Sequence, residues 1–156
     1  MRYIKQLKEQ YGILERSLKN YLADYDHHND DWRMTEISWQ LDLLRNIRYA
    51  FMNIVYPELA SSSDREVQPL LAAAKSEQDA LEMRLETIIN VHVDEPFHEY
   101  KEKIEKLLVI IEKLHRLDSS LLEYFNQNAP DDRVQMIDHT IHKKIFPQLV
   151  ASGPNL

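Results

Sequence analysis

Two Glu-x-x-His motifs in this sequence have the residue types and spacing of a metal site in a helical bundle. They are Glu95-Pro96-Phe97-His98 and Glu112-Lys113-Leu114-His115. A di-metal centre of that kind needs one such motif on each of two helices, at the same height. Both motifs here fall on one predicted helix, and the 17 residues between their histidines correspond to roughly 25 Å. They are therefore not expected to share a metal pair.

The remaining histidines offer pairs of ligands rather than complete sets. His139 and His142 are spaced to face one side of a helix, next to Asp138, whereas His27 and His28 follow an acidic residue in a predicted loop. A zinc site needs three or four converging ligands. We therefore expect the histidines to be solvent-facing or structural, and we predict no metal or cofactor. The alternative is a metal-binding bundle that combines carboxylates with some of His92, His98, His115, His139 and His142.

Arg48 and Asp118 are the two charged residues that lie on otherwise apolar helix seams. Counting the rise from each helix start places them within roughly 10 Å in height. They are predicted either to form a buried ion pair that sets helix register or to lie at the edge of the bundle with their charged groups in water. Neither arrangement favours catalysis.

Other catalytic signatures are absent from the sequence. It has no phosphate-binding glycine loop, no G-x-S-x-G elbow, no H-E-x-x-H pair and no dinucleotide fingerprint. The absence of cysteine excludes disulfides, thiolate metal sites and cysteine nucleophiles. We therefore predict that the protein is not an enzyme.

The elements that would position these residues are all helical. Apolar residues recur with steps of three and four along most of the chain, and only two glycines are available for tight turns. The predicted helices cover about residues 2–25, 30–56, 64–89, 96–125 and 131–146. Pro57 is expected to end the second helix, Ser63 and Glu66 to form a capping box for the third, and Asp94 to cap the fourth.

Four long helices with short connections predict an antiparallel up-down four-helix bundle, because short loops make consecutive helices antiparallel. The shorter fifth helix is expected to pack against it. Residues 1–150 are predicted to form one domain, and residues 151–156 a frayed tail.

The second predicted helix has more apolar surface than a bundle seam requires. A second stripe widens its apolar arc to about 200°; it comprises Trp32, Trp39, Leu43, Ile47, Ala50 and Ile54. Either the fifth helix covers this stripe, or part of it is an interface for a partner or for a second copy of the chain. For the second alternative, the candidate interaction surface is Trp32, Trp39, Leu43, Ile47 and Ile54.

Charge and hydropathy restrict the kind of partner. The net charge of −7 disfavours nucleic acid. The longest apolar run, Leu107 to Ile111, is too short to cross a membrane, and the N-terminal residues show no signal-peptide pattern. We therefore predict a soluble cytoplasmic protein without nucleic-acid or membrane partners.

Taken together, these features predict an interaction protein of a bacterial or phage type. Adaptor, regulator, chaperone-like and immunity roles are all compatible with a helical bundle that binds another protein or itself. Mimicry of nucleic acid by acidic residues is disfavoured, because both signs of charge are mixed around each helix.

Overall fold

The computed structural model describes residues 2–61, 64–89 and 97–145, and these residues form helices and turns without a strand. The all-α prediction is confirmed. The α-helices, in chain order, are α1 (Arg2–Asp24), α2 (Asp30–Ala50), α3 (Tyr56–Ala60), α4 (Val67–Ile89), α5 (Phe97–Asn128) and α6 (Asp131–Lys144).

The turn between α1 and α2 is fixed by polar and aromatic contacts. A short 3-10 helix, Tyr25–His27, extends α1, and the Asn29 side chain caps α2 by accepting a hydrogen bond from the Trp32 N–H at 3.0 Å. The Arg33 Nε donates to the Tyr25 carbonyl at 2.7 Å. The predicted start of the second helix near Asp30 is confirmed. The N-cap is Asn29 rather than Asp30 or Asp31, and its side chain satisfies an otherwise unbonded N–H of the first turn.

The end of the second predicted helix differs from expectation. The helical structure does not end before Pro57. A π-helical segment, Phe51–Val55, leads directly into α3, and Pro57 lies in the first turn of α3. In the π segment the Tyr56 N–H bonds to the Phe51 carbonyl, five residues back. In a regular helix a proline ring clashes with the carbonyl four residues back, and the wider turn moves that carbonyl. The missing proline N–H is tolerated because Pro57 lies in a first turn.

The start of α4 is described only in part. Asp64 accepts a hydrogen bond from the Glu66 N–H at 2.8 Å. The predicted capping residues Ser63 and Asp94 and the predicted tail, residues 151–156, lie outside the described residues.

The helices pack around one apolar core. Helix α1 contacts α2, α5 and α6, while α4 packs against α5. Helix α6 is also held at the first turn of α1, where the Asp138 carboxylate accepts hydrogen bonds from the Tyr3 and Ile4 N–H groups, both at 2.9 Å. This carboxylate satisfies two unpaired N–H groups and complements the positive end of the α1 dipole. Within the described residues, no helix combines the length and the apolar character needed to cross a membrane.

Candidate functional site

The most unusual group in the core is the carboxyl of Asp118, on α5. It is fully buried, and its two oxygens accept hydrogen bonds from two tyrosine hydroxyls, Tyr11 on α1 and Tyr56 on α3, the latter at 2.6 Å. A buried carboxyl requires such partners, because it has lost the water that would otherwise solvate it. The two bonds join three helices at one point.

The π segment explains how Tyr56 reaches this position. Tyr56 follows Tyr49 by seven residues, so a regular helix would place both on the same face, about 20° apart. Tyr49 is instead exposed and Tyr56 is buried. Because a π turn contains one extra residue, it rotates the following residues by about 100°, which turns the Tyr56 hydroxyl toward Asp118.

A chain of hydrogen bonds continues from Tyr56 to the surface. Gln78 Nε2 on α4 donates to the Tyr56 hydroxyl at 3.2 Å, and Arg48 Nε on α2 donates to Gln78 Oε1 at 3.1 Å. The Arg48 guanidinium also pairs with the exposed carboxylate of Glu82 at 3.3 Å. We call Tyr11, Tyr56, Gln78 and Asp118 the buried acid cluster.

The two seam charges, Arg48 and Asp118, therefore do not form a direct ion pair. They are connected through Gln78 and Tyr56. The expected burial holds for Asp118, although its partners are tyrosines rather than Arg48. The expected position at the edge of the bundle holds for Arg48, which is partly exposed and pairs with a surface carboxylate.

Burial dominates the electrostatics of the cluster. It raises the pKa of the Asp118 carboxyl to about 7, although the hydrogen bonds from Tyr11 and Tyr56 act in the opposite direction. Burial also raises the pKa of both tyrosines, and the nearby charge of Asp118 adds to this effect. Asp118 can therefore gain or lose a proton near neutral pH while the tyrosine hydroxyls stay protonated.

Two surface pockets that the structure describes do not open onto the buried acid cluster. They lie between α4 and α5 and between α1 and α5, and no residue of the buried acid cluster lines either of them. A proton can be stored at Asp118, but a catalytic acid must also reach a reacting atom.

The histidines do not form a described metal site. His115 Nδ1 lies 2.7 Å from Glu15 Oε1, and its ring stacks on Tyr11 with centroids 5.4 Å apart. His139 and His142 are neighbours, and His142 stacks on Tyr3. Among the residues that the structure describes, no three His, Asp or Glu side chains are placed to hold a metal ion. His92 and the side chain of His98 lie outside that set.

The predicted interaction surface lies mostly inside the fold. Leu43, Ile47 and Ile54 are only 2%, 0% and 9% exposed. Of the two alternatives, the accessible interface is therefore wrong for these three residues, which are covered within the fold. The reason is that α1 packs along α2 and α6 contacts the π segment. Leu43 and Ile47 are therefore part of the core face of α2, and Ile54 is buried in the π segment.

The two tryptophans of that prediction are intermediate cases. Trp32 is half-buried, stacked between Tyr21 and His28 with centroid distances of 5.4 and 3.9 Å. Trp39 is also half-buried; its indole nitrogen is buried, and no hydrogen-bond partner for it is found among the described residues. Their participation in an interface stays a prediction.

A different surface of the same helix carries three of the six large apolar side chains that are exposed among the described residues. Met34, Tyr49 and Met52 are 53%, 47% and 37% exposed, and with the exposed Ser38, Asp42 and Arg45 they fall within an arc of about 80°. We call these six residues the outer face of α2; five of them lie in α2, and Met52 lies in the π segment that continues it. Sequence reasoning missed this face because the most apolar stripe was the candidate interface, and most of that stripe is buried in the core. The usable signal was that Tyr49 and Met52 are apolar residues outside the 200° apolar arc of the helix.

These observations define an all-helical protein with an enclosed carboxyl–tyrosine cluster and an apolar face on one helix. No protein-family model, curated protein or solved structure matches the chain.

Proposed function

We propose that this protein is a non-enzymatic protein–protein interaction module that binds through the outer face of α2. The observation that carries the proposal is the exposure of Met34, Tyr49 and Met52 on one side of a single helix. Tyrosine, methionine and arginine are enriched in protein interfaces, and Arg45 lies in the middle of this face. A partner would cover apolar surface that the chain itself leaves in water.

The polar groups of the face favour burial by a partner. The Ser38 hydroxyl donates to the Met34 carbonyl at 2.8 Å, and Asp42 pairs with Arg45 at 3.0 Å. The neighbouring Asn53 amide donates to the Tyr49 carbonyl at 3.1 Å. Groups that already have partners lose less when water is removed, so a docked protein need not supply a bond to each of them.

The buried acid cluster supports a scaffold role in this proposal. Its hydrogen bonds, with that of Arg48, join α1, α2, α3, α4 and α5. A sliding of one helix past another would break one or two of these bonds and leave polar groups in the core unpaired. The cluster would therefore keep α2, and its outer face, in a fixed position.

We also propose that the long helices form an antiparallel up-down four-helix bundle. Supporting contacts run from α1 to α2, from α4 to α5 and from α5 back to α1. The bond from Arg48 to Gln78 links α2 to α4 and completes a ring of neighbours. The cytoplasmic location stays a prediction.

The experiment is site-specific photo-crosslinking in the native host. A photoreactive amino acid replaces Tyr49 in one variant and Met83 in the control, since Met83 on α4 is 70% exposed. We expect a discrete adduct from position 49 that is lost when Met52→Asp is added, and none from position 83. Identical adducts from both positions, or none from position 49, would refute the proposed face.

A further inference from the structure

The outer face of α2 is complementary to itself when two copies run in opposite directions. An antiparallel pairing centred between Leu43 and Leu44 places Asp42 of each copy opposite Arg45 of the other. The same register places Ser38 opposite Tyr49 and brings Met34 close to Met52 at both ends of the contact. The small Ser38 then faces the large Tyr49, the methionines lie near each other, and opposite charges face each other.

From this complementarity we infer that the partner of the outer face is a second copy of the chain, bound across a two-fold axis with the α2 helices antiparallel. A two-fold interface requires a surface that complements itself. The inference rests on the proposed function and adds the identity and orientation of the partner.

The size of the face sets the strength of this dimer. Met34 to Met52 spans 18 residues, or about 27 Å of helix, and a contact about 10 Å wide would bury about 540 Å² over both copies. Stable complexes bury more than about 1,200 Å². The dimer is therefore weak, and it forms only at high protein concentration.

The net charge of each copy also affects the dimer. Two chains that each carry −7 repel one another, and this repulsion is screened over about 10 Å at 0.1 M salt. Association should thus strengthen between low and moderate salt. Sedimentation equilibrium up to millimolar protein, at two salt concentrations, measures both the strength and its salt dependence.

Charge reversal tests the register. Arg45→Asp places like charges opposite each other twice per dimer and should weaken association about tenfold. Adding Asp42→Arg in the same chain restores both the contact between copies and the pair within α2, so association should recover. Circular dichroism of each variant separates a folding defect from lost association. Weakening without recovery would overturn the register.

Cysteine cross-linking tests the orientation, and the chain has no cysteine of its own. Oxidising an equimolar mixture of Ser38→Cys and Tyr49→Cys chains should give the mixed disulfide dimer. Either variant alone should give little, because its two cysteines would lie 11 residues apart along the interface, about 16 Å. Ser38→Cys mixed with Met83→Cys is the control. Equal cross-linking of Ser38→Cys with itself would refute the antiparallel arrangement.

The outcomes separate this inference from the proposed function. A chain that remains monomeric at millimolar concentration, together with a position-49 adduct containing another protein, removes the dimer and keeps the interaction module. If position 49 gives no adduct and the chain is monomeric, both fail. An adduct of twice the chain mass, with the mixed disulfide, supports both.

Discussion

The protonation of Asp118 should make the stability of this protein depend on pH in a direction opposite to that of most carboxylates. Its pKa is about 7 in the folded chain against an ordinary value of 3.8. At about 1.4 kcal/mol for each tenfold change in proton affinity, this difference corresponds to about 4 kcal/mol. Because the folded chain binds the proton more tightly, that stability is fully present below pH 3.8 and is lost as the pH rises through 7.

The measurement compares the wild-type chain with Asp118→Asn, which keeps the shape but cannot ionise. Urea unfolding at intervals from pH 4 to pH 8 gives the free energy of unfolding of each chain, and subtraction removes the contribution of all other titrating groups. We expect the stability of the wild type relative to the variant to fall by about 4 kcal/mol over this range. A difference that stays constant within about 1 kcal/mol, or a carboxyl pKa below 5 by NMR titration, would refute the reasoning.

Urea unfolding of variants at three further positions tests the cluster, the core and the cap of α1. Tyr56→Phe should cost about 1–3 kcal/mol, because it leaves a buried amide and a carboxyl oxygen without a partner, and it should raise the pKa of Asp118 further. Ile47→Ala should lower the free energy of unfolding by about 2–5 kcal/mol, because the side chain is in the core. A loss below about 0.5 kcal/mol would contradict its burial. Asp138→Ala should cost about 1 kcal/mol through the lost helix cap, whereas Asp138→Asn should retain most of the stability; equal losses would contradict capping.

Much of the fold could be predicted from the sequence because helix periodicity is local. The seams of α1 and α5 appear as apolar steps of three and four, and the acidic turn before Asp30 marks a helix start. The π segment could not be predicted in this way. It replaces a backbone hydrogen bond four residues back by one five residues back, and no residue type in the sequence marks this change. Pro57 was therefore interpreted as the end of a helix that in fact continues.

The site shows the same division between local and tertiary information. Asp118 and Arg48 stand out in the sequence as charges on apolar seams. Their partners depended on contacts between distant segments, including the rotation of Tyr56. Similarly, the angular width of the α2 stripe was visible, but which neighbouring helix would cover it was not. A tyrosine on a seam is a usable signal, because its buried hydroxyl requires a partner.

The π segment has a consequence for how the length of this chain can change. A one-residue deletion normally turns every later side chain of a helix to a new face. Deleting the exposed Met52 would instead convert the wide turn into a regular one and leave Tyr56 facing the core. Pro57 would then sit within a regular helix, where it costs about 3 kcal/mol. The chain without Met52 should therefore keep its stability only when Pro57 is replaced as well. In a homologue that lacks the extra residue, we expect a residue other than proline at the position of Pro57.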